Sequence, residues 1–394
     1  MIIDGITGLS IKTAIVPDSN ETYMSPLLVD LNGDGNKTLI FGTGGEGIAG
    51  NLWACDLNDL LNEDLSSAEP LVPNSELGHI APPSIGDING DGILDIITQC
   101  FDGEVSAIDG NNFEILWQYK IENTESSASP ILGKFSSDDN NLDVFATIFS
   151  GGESSYSDYY QVLLDGATGD VLWNDSVGLI NFCTPIAYDS NVDGNDEVLI
   201  SVINNNGTYF ESELILIDFT NGSTSQFFGP IPGGNIASTP LITDLENDGS
   251  NEIMFGSNDG TLYVLDAFGT ELIAYQQSGM INGSPAVIDL DQDGDREIIF
   301  VSYNGTNSDG EVHAIHHDGT EVDGFPVDLD ERMMAGPAAG DLDGDGYPEI
   351  IVCTWGENIY SIGYDGSIKS GFPFESTKRF NAPATLVDLD GDSD

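Results

Sequence analysis

The stretch SPAVIDLDQDGDREIIF, residues 284–300, decides the fold. It opens with a serine, a proline and three apolar residues, continues with nine residues rich in aspartate, and ends in an apolar run of β-branched character. Proline is tolerated at the first position of a strand, where no ladder hydrogen bond is lost. The stretch therefore predicts two short strands joined by an acidic hairpin loop.

The same order of residues recurs along the chain. Repeats start near residues 25, 82, 129, 184, 239, 284, 336 and 382, which places successive starts 45 to 57 residues apart. After the second strand of each repeat, turn residues lead into an alternating third strand such as Thr261–Leu265, and a further turn such as Asp318-Gly319 leads to a fourth strand. A repeat of this length with four strands is typical of a propeller blade.

The fold class predicted from these repeats is an all-β propeller occupying residues 1–394 as a single domain. We expect seven complete four-stranded repeats, because stacking on neighbouring sheets is what lets each sheet bury its faces. A linear β-solenoid is the alternative, but its coils are usually shorter. Residues 1–16 resemble the third strand, turn and outer strand of a blade, and residues 381–394 resemble a first strand and its loop. These two pieces predict complementary halves of an eighth blade, so the intact molecule has seven or eight blades.

The acidic loops follow the pattern Asp-x-Asp/Asn-x-Asp-Gly-x-x-Asp/Glu. Five copies are near complete: Asp87, Asn89, Asp91 and Asp95; Asp189, Asn191, Asp193 and Glu197; Asp244, Glu246, Asp248 and Glu252; Asp289, Asp291, Asp293, Asp295 and Glu297; Asp341, Asp343, Asp345 and Glu349. Carboxylates at positions 1, 3 and 5 and an acid at position 9 are the hard oxygen donors that a divalent cation requires, and the flexible donor number favours Ca²⁺ over Mg²⁺. A single such loop would be explained by an Asx-rich turn. Five copies in one frame predict five structural calcium sites.

Three further loops depart from the pattern. The first has Asp30, Asn32 and Asp34 but Thr38 at position 9, so it is expected to bind weakly. The last has Asp388, Asp390 and Asp392 close to the C-terminal residue. The third has Lys134 at position 1 and one additional residue before Asp143. A lysine there predicts no bound ion in loop 134–143, and its ammonium is expected to pair with Asp138, Asp139 or Asp143, or else to be solvated.

Composition excludes several function classes. Sixty-seven acids face nine bases, for a formal net charge of −58. Such a surface repels nucleic acid and anionic lipid, so neither is an expected partner. No apolar run approaches the length of a membrane span. Cys55, Cys100, Cys183 and Cys353 have no CxxC spacing and are predicted to be buried thiols. Three of the four histidines, His313, His316 and His317, lie in a presumed strand and turn, and no ligand role is predicted for any of the four.

The repeats resemble the FG-GAP/VCBS family, whose relatives include the integrin α-subunit propeller. Elements such as Phe255-Gly256-Ser257, Gly324-Phe325-Pro326 and Gly371-Phe372-Pro373 carry part of this resemblance. It implies a calcium-stabilised, extracellular or cell-surface module that binds a protein or glycan without catalysis, within a larger secreted or surface protein. Residues 1–4 lack the basic start and apolar stretch of a signal peptide.

Two enzyme classes are the alternatives. Some propellers of this resemblance class are polysaccharide lyases or hydrolases, which use Lys, Arg, His or Tyr near the substrate. Asp165-Gly166-Ala167-Thr168-Gly169 with Trp173, and Trp117 after Asp109-Gly110, are similar to quinoprotein dehydrogenase motifs. Nine scattered bases and the absence of a Ser-His-Asp or Cys-His pattern argue against both, and tryptophan packing between blades is the simpler interpretation. No catalytic residue is therefore predicted.

Overall fold

The computed structural model describes residues 1–73, 75–136, 141–151, 158–180, 183–205, 210–305 and 309–389. Antiparallel strands account for almost all of its regular structure. Seven successive four-stranded sheets are the seven blades of a β-propeller, which confirms the predicted fold class. The one α-helix in these ranges, Leu57–Leu61, is too short to have a helical sequence period and was not predicted.

The first part of the chain contains a hairpin and four blades. The N-terminal hairpin pairs β1 (Ile2–Ile3) with β2 (Ser10–Lys12). Blade 1 contains β3 (Leu27–Val29), β4 (Thr38–Gly42), β5 (Leu52–Asp56), α1 (Leu57–Leu61) and β6 (Glu69–Pro70). Blade 2 contains β7 (Ser84–Gly86), β8 (Asp95–Gln99), β9 (Val105–Ile108) and β10 (Ile115–Tyr119). Blade 3 contains β11 (Thr124–Glu125), β12 (Ile131–Gly133), β13 (Asp143–Ser150), β14 (Asp158–Leu164) and β15 (Val171–Asp175). Blade 4 contains β16 (Leu179–Ile180), β17 (Ile186–Tyr188), β18 (Glu197–Asn205), β19 (Phe210–Asp218) and β20 (Ser223–Pro232).

Three further blades follow. Blade 5 contains β21 (Leu241–Thr243), β22 (Glu252–Gly256), β23 (Thr261–Asp266) and β24 (Glu271–Gln276). Blade 6 contains β25 (Ala286–Ile288), β26 (Glu297–Tyr303), β27 (Gly310–Ile315) and β28 (Val327–Asp328). Blade 7 contains β29 (Ala338–Gly340), β30 (Glu349–Cys353), β31 (Asn358–Ile362) and β32 (Phe374–Glu375). Short strands β11 and β16 each add a fifth strand to their blade by pairing with β13 and β18.

The chain has two compact units. The first, Lys12–Thr208 with Glu213–Pro230, holds blades 1 to 3 and most of blade 4. The second, Met1–Ile11 with Tyr209–Ser212 and Ile231–Asp394, holds blades 5 to 7 and most of the N-terminal hairpin.

Within each unit, the cores lie between consecutive blades. In the first unit, Ile97 and Ala107 of blade 2 pack with Val144 and Val162 of blade 3. In the second unit, blade 6 packs on blade 7 through a cluster that includes Val312 and Ile350. Neighbouring blades cover both faces of an inner strand, so β8 and β26 are buried along their whole length.

Both terminal pieces pack against blade 7. Ile3 from the N-terminal hairpin and Leu386 from the C-terminal segment contact the cluster formed by Ile351, Cys353 and Ile359. A side-chain carbon on Gly371 would overlap the Thr7 carbonyl, just as one on Gly324 of blade 6 would overlap the Asp365 carbonyl of blade 7. The turn at Thr7 thus contacts Gly371 of blade 7 in the same way as the turn at Asp365 of blade 7 contacts Gly324 of blade 6. Residues 381–389 lie on the same blade without forming a strand.

Candidate cation loops

The acidic segment of each blade is the loop between its first and second strands. We number these loops 1 to 7 after their blades: 30–38, 87–95, 134–143, 189–197, 244–252, 289–297 and 341–349. In every blade, the last residue of the first strand pairs with the last residue of the loop, as Ile288 pairs with Glu297 and Gly340 with Glu349. This residue is at position 9 in every loop except loop 3, which has ten residues. Position 9 is thus the first residue of the second strand, and the hairpin brings it back beside position 1.

The acid at position 9 is buried and anchored by the backbone of its own loop. Glu297 Oε2 accepts a hydrogen bond from the Leu290 amide at 2.6 Å, and Glu252 Oε2 accepts one from Leu245 at 2.9 Å. Four other loops repeat this bond, each from the amide seven residues before the acid: Ile88 to Asp95, Ser136 to Asp143, Ser190 to Glu197 and Leu342 to Glu349. One carboxylate oxygen is therefore held by the loop's own backbone. The other oxygen has a further partner in four loops: Gly110 for Asp95, Asn191 for Glu197, His316 for Glu297 and Lys369 for Glu349.

Burial at position 9 penalises the ionised carboxylate. Removal from water raises the pKa of Asp95, Glu197, Glu252 and Glu297 above the usual range. Neighbouring loop carboxylates add to this effect; Asp248, for example, raises the pKa of Glu252 further. A cation placed in the loop would stabilise the ionised form, so each loop has an electrostatic reason to take up positive charge.

The carboxylate at position 1 bonds to its own loop in five blades. Asp30 Oδ2 accepts the amide of Gly35 at 2.8 Å, and Asp341 Oδ2 accepts that of Gly346 at 2.9 Å. Asp87, Asp189 and Asp244 make the same bond to the glycine at position 6. That glycine has a positive φ, 92° at Gly346, which a side-chain-bearing residue rarely adopts. These bonds hold each loop in a curled turn.

Loop 6 has a different arrangement. Oδ1 of Asp289 is buried and accepts no hydrogen bond. One carboxylate oxygen from each of Asp289, Asp291 and Asp293 lies within 4.8 Å of the others. Among the described residues, the second loop that brings three acids this close is loop 7, through Asp341, Asp343 and Glu349. Loops 6 and 7 therefore have the tightest groups of potential ligands.

Two histidines from the turn after β27 lie at loop 6. His316 Nδ1 is 3.1 Å from Oε1 of Glu297, and His317 Nδ1 contacts Oδ2 of Asp295. Sequence reasoning gave these histidines no role. The strand pairing contains the missing signal: Ile315 pairs with Ile298, so the residue after Ile315 must lie beside Glu297.

A lysine lies in loop 7. Lys369 Nζ is 2.8 Å from Asp343 and 2.9 Å from Glu349, and these two carboxylates raise the pKa of the lysine. Lys369 comes from the segment after the Asp365-Gly366 turn and was not among the predicted site residues. Its ammonium supplies positive charge to a loop that the sequence assigned to Ca²⁺.

Loop 3 has one more residue than the others between its paired ends, Gly133 and Asp143. The backbone of Lys134 exchanges two hydrogen bonds with Asp196 of blade 4. Among the described residues, the Lys134 ammonium has no carboxylate partner, so the predicted pair with Asp143 is not formed. Asp138 and Asp139, the other suggested partners, lie outside the described residues.

The remaining predicted ligands lie at the ends of the series. In loop 1, Asn32 Nδ2 donates to Asp34 at 3.2 Å, and Thr38 at position 9 begins β4 without supplying a carboxylate. Asp388 is at the C-terminal segment, while Asp390 and Asp392 fall outside the residues that the structure describes.

Loops 5 and 6 are connected by hydrogen bonds. Arg296 of loop 6 donates from one guanidinium nitrogen to Thr243 Oγ1 and to the Asp244 carbonyl, both at 3.0 Å. Asn247 of loop 5 donates to the Gly294 carbonyl at 3.2 Å. One of the nine basic residues is thus used to join two acidic loops.

A cluster of basic and aromatic side chains is the second notable group in the second unit. The Arg332 guanidinium lies 3.9 Å from the ring centre of Trp355 and 4.8 Å from that of Tyr303. Arg379 lies 5.3 Å from the Trp355 ring centre. Within the described part of the chain, neither arginine has a carboxylate partner, although acids outnumber bases 67 to 9. Arg, Trp and Tyr are the residue types most enriched at binding hot spots.

The four cysteines and the two buried histidines, His79 and His313, have the surroundings of structural residues. All four cysteines are buried and free, as predicted, and burial raises the pKa of Cys55, Cys100 and Cys183 to about 12. His79 bonds two hydroxyls, those of Ser75 and Thr98. One nitrogen of His313, Nε2, faces both Ser302 and Glu311, at 3.0 and 3.6 Å, whereas a catalytic triad needs the two ring nitrogens to have different partners.

The tryptophans that resembled quinoprotein motifs are in the cores. Trp117 Nε1 donates to the Gly166 carbonyl of blade 3 at 2.7 Å, and its ring belongs to the core of blades 2 and 3. Trp173 packs edge-on against Phe219 with ring centres 5.2 Å apart. Packing between blades, the simpler interpretation, is confirmed for Trp117.

A comparison with known protein families matches the segment that contains loops 6 and 7. Residues 289–352, from position 1 of loop 6 to β30, match the family model of the FG-GAP-like repeat. This segment is an FG-GAP-like repeat. The predicted resemblance is confirmed by this match. No curated protein sequence matches the chain.

Solved structures share the fold of this chain at low identity. A europium-containing methanol dehydrogenase is 12% identical with a TM-score of 0.65, over 98% of this chain and 83% of the other. The quinohemoprotein alcohol dehydrogenase from Comamonas testosteroni is 9% identical with a TM-score of 0.62, over 92% and 68%. BBS1N, solved in complex with ARL6DN, is 13% identical with a TM-score of 0.51, over 90% and 93%. At such identities the likeness shows the fold alone.

Membrane insertion through a helix has no support in the described residues, where no helix is long and apolar enough to cross a bilayer.

Proposed function

We propose that this chain is a cation-stabilised β-propeller that works as a non-catalytic binding module, with Ca²⁺ in its acidic loops. The observation that carries the proposal is the buried acid at the end of the loop, anchored in six loops by the backbone amide seven residues before it. An anchored, buried carboxylate beside further Asp side chains suits the flexible oxygen coordination of Ca²⁺.

An extracellular or cell-surface location fits this chemistry. Extracellular modules bind Ca²⁺ with dissociation constants of about 10⁻⁴–10⁻³ M, so exposed loops of moderate affinity are filled outside the cell. The net charge of −58 disfavours nucleic acid and anionic lipid as partners. We therefore propose an extracellular protein or glycan as the ligand.

The cluster of Arg332, Trp355, Tyr303 and Arg379 supports the binding role. Stacking on two aromatic rings holds the Arg332 guanidinium in place, so little side-chain freedom is lost when it meets a ligand. The non-catalytic assignment is supported by the four buried thiols and by histidines that bond to hydroxyls in the core. Polysaccharide lyase or hydrolase and quinoprotein-like dehydrogenase are the competing functions.

Two measurements test the proposal. Thermal melts in EDTA and in millimolar CaCl₂ should differ, because ligands that bind only the folded state stabilise it by mass action. An unchanged midpoint contradicts the calcium part. Binding to a panel of extracellular proteins and glycans should include a ligand that Trp355→Ala weakens. Turnover of a polyuronate, or quinone-dependent oxidation of an alcohol, would overturn the non-catalytic part.

A further inference from the structure

Loop 6 differs from the other acidic loops by having nitrogen donors. His316 comes within 4.8 Å of carboxylate oxygens of Asp291 and Glu297, and also of carboxylate oxygens of Asp293 and Asp295. No imidazole belongs to a comparable group in any other described loop. A hard cation such as Ca²⁺ gains nothing from an imidazole, whereas Zn²⁺, Co²⁺ and Ni²⁺ bind imidazole nitrogen well.

The contact between His316 and Glu297 has the form of a metal-ligand support. His316 Nδ1 faces Glu297 Oε1 at 3.1 Å, and Glu297 is fully buried and fixed by the Leu290 amide at 2.6 Å. A proton on Nδ1 then donates to Glu297 and leaves the lone pair on Nε2. Histidines that bind metals usually donate their other ring N–H to a carboxylate in this way, which fixes the tautomer and raises the basicity of the ligating nitrogen.

An independent observation is that one carboxylate oxygen of loop 6 lacks a hydrogen-bond donor. Asp289 Oδ1 is buried and accepts no hydrogen bond, whereas the corresponding Asp341 of loop 7 accepts amide bonds through both of its oxygens. A buried carboxylate oxygen without a donor costs free energy unless a proton or cation meets it. Asp289 also lies within 4.8 Å of Asp291 and Asp293, which are potential ligands of the same ion.

We propose that loop 6, together with His316, is a mixed nitrogen and oxygen site for a divalent transition metal of the Zn²⁺ and Co²⁺ class. His316 supplies the nitrogen through Nε2, Asp291, Asp293 and Asp295 offer the oxygens, and Glu297 orients the imidazole. The other loops keep their preference for Ca²⁺. This inference rests on the proposed function only in taking the acidic loops to be cation sites.

Co²⁺ is the probe, because it reports its ligands by spectroscopy. We expect the protein in millimolar CaCl₂ to bind one equivalent of Co²⁺ and to show a strongly shifted, exchangeable proton resonance from the Nδ1–H of a coordinated imidazole. His316→Gln should remove that resonance and weaken Co²⁺ binding by at least about tenfold. Glu271→Gln on the exposed face of β24 is the control and should change neither.

Three results would overturn the inference: no Co²⁺ binding in the presence of Ca²⁺, bound Co²⁺ without the exchangeable resonance, or equal Co²⁺ affinity in His316→Gln. The resonance is measured on the unmodified protein, so the test does not depend on the folding of a variant. Calcium melts separate this outcome from the proposed function. A Ca²⁺ effect without a Co²⁺ signal refutes the present inference alone, and a Co²⁺ signal without a Ca²⁺ effect refutes the calcium proposal alone.

Discussion

The Lys369 ammonium lies 2.9 Å from Oε1 of Glu349, a carboxylate that is 1% exposed. The same ammonium is 2.8 Å from Asp343. In the described part of the chain, no other lysine pairs with a loop carboxylate. The charge that a divalent ion would bring to loop 7 is therefore supplied in part by a side chain of the same blade.

Lys369→Met should destabilise the calcium-free protein. Removing the ammonium leaves Glu349 buried without its positive partner, and the partial exposure of Lys369 keeps the expected loss at about 1–3 kcal/mol of unfolding free energy. Urea unfolding in EDTA measures this loss. Lys378→Met is the control, because Lys378 is exposed and has no ion pair among the described residues. Equal stability of Lys369→Met and the unmodified protein would remove the structural role of the pair.

The same substitution should strengthen cation binding at loop 7. The ammonium repels a divalent ion that approaches Asp341, Asp343 and Glu349, so its removal should raise the calcium affinity of this loop. Isothermal titration of the variant should show either one additional Ca²⁺ site or one tightened site. If the calcium isotherm is unchanged, the ammonium and the cation do not compete.

Glu252→Gln should remove one calcium site and leave the loop folded. The amide oxygen of glutamine can still accept the Leu245 amide, but the negative charge that a cation requires at position 9 is lost. Equilibrium dialysis should then count one Ca²⁺ fewer per chain. Glu271→Gln on the exposed face of β24 is the matched control and should leave the count unchanged. A full count in Glu252→Gln would exclude this residue as a ligand.

The free energy of unfolding should fall in mild acid because His313 is buried. Burial lowers the pKa of His313 to about 4, while an unfolded histidine has a pKa near 6.5. Between these values the unfolded chain binds a proton that the folded chain does not, so the unfolding free energy falls as the pH decreases from 6.5 to 4. The expected loss is on the order of 3 kcal/mol at the lower limit.

Comparison with His313→Gln isolates this effect. The raised pKa values of Glu252 and Glu297 act in the opposite direction, since their folded forms keep protons as the pH rises, and they do so in both proteins. Urea unfolding at several pH values between 4 and 7.5 should give a smaller pH dependence for the variant. Identical pH profiles would mean that folding does not lower the pKa of His313.

Trp117→Phe should destabilise the contact between blades 2 and 3. The substitution removes the Nε1–H that donates to Gly166 and part of the buried ring, at an expected loss of about 1–3 kcal/mol. Leu116→Ala on the same strand is the control, because Leu116 is 37% exposed. Chemical unfolding measures both. An unaffected Trp117→Phe variant would remove the case for a packing role and reopen the cofactor interpretation.

Local sequence patterns predict the strands and loops of this protein well. Ile298-Ile299-Phe300 lies in β26 and Thr261–Leu265 lies in β23, because hairpin turns and alternation of side chains are encoded in adjacent residues. The acidic loops were placed correctly between first and second strands for the same reason. The short helix Leu57–Leu61 was missed, since five residues are too few to establish a period.

The composition of the candidate site was less predictable. Lys369 and His316 reach loops 7 and 6 from the turn after the third strand, about 20 residues along the chain, so no motif within the loop contains them. The register of β26 with β27 would have placed His316 beside Glu297. The backbone pairing of Lys134 with Asp196 could not be predicted from the sequence. The additional residue in loop 3 changes which residues lie beside Lys134.

The hairpin organisation of the blades bears on how the chain folds. Apart from β11 and β16, every strand of a blade pairs with a strand adjacent in the chain, so most backbone ladders close over short stretches of sequence. Short loop closures cost little chain entropy and favour rapid folding. An acidic loop lies inside the first hairpin of each blade, where its ligands assemble before distant blades meet. Under the proposed function, a cation bound in this hairpin acts as an early nucleus for its blade, so chelation should slow refolding as well as lower the melting point.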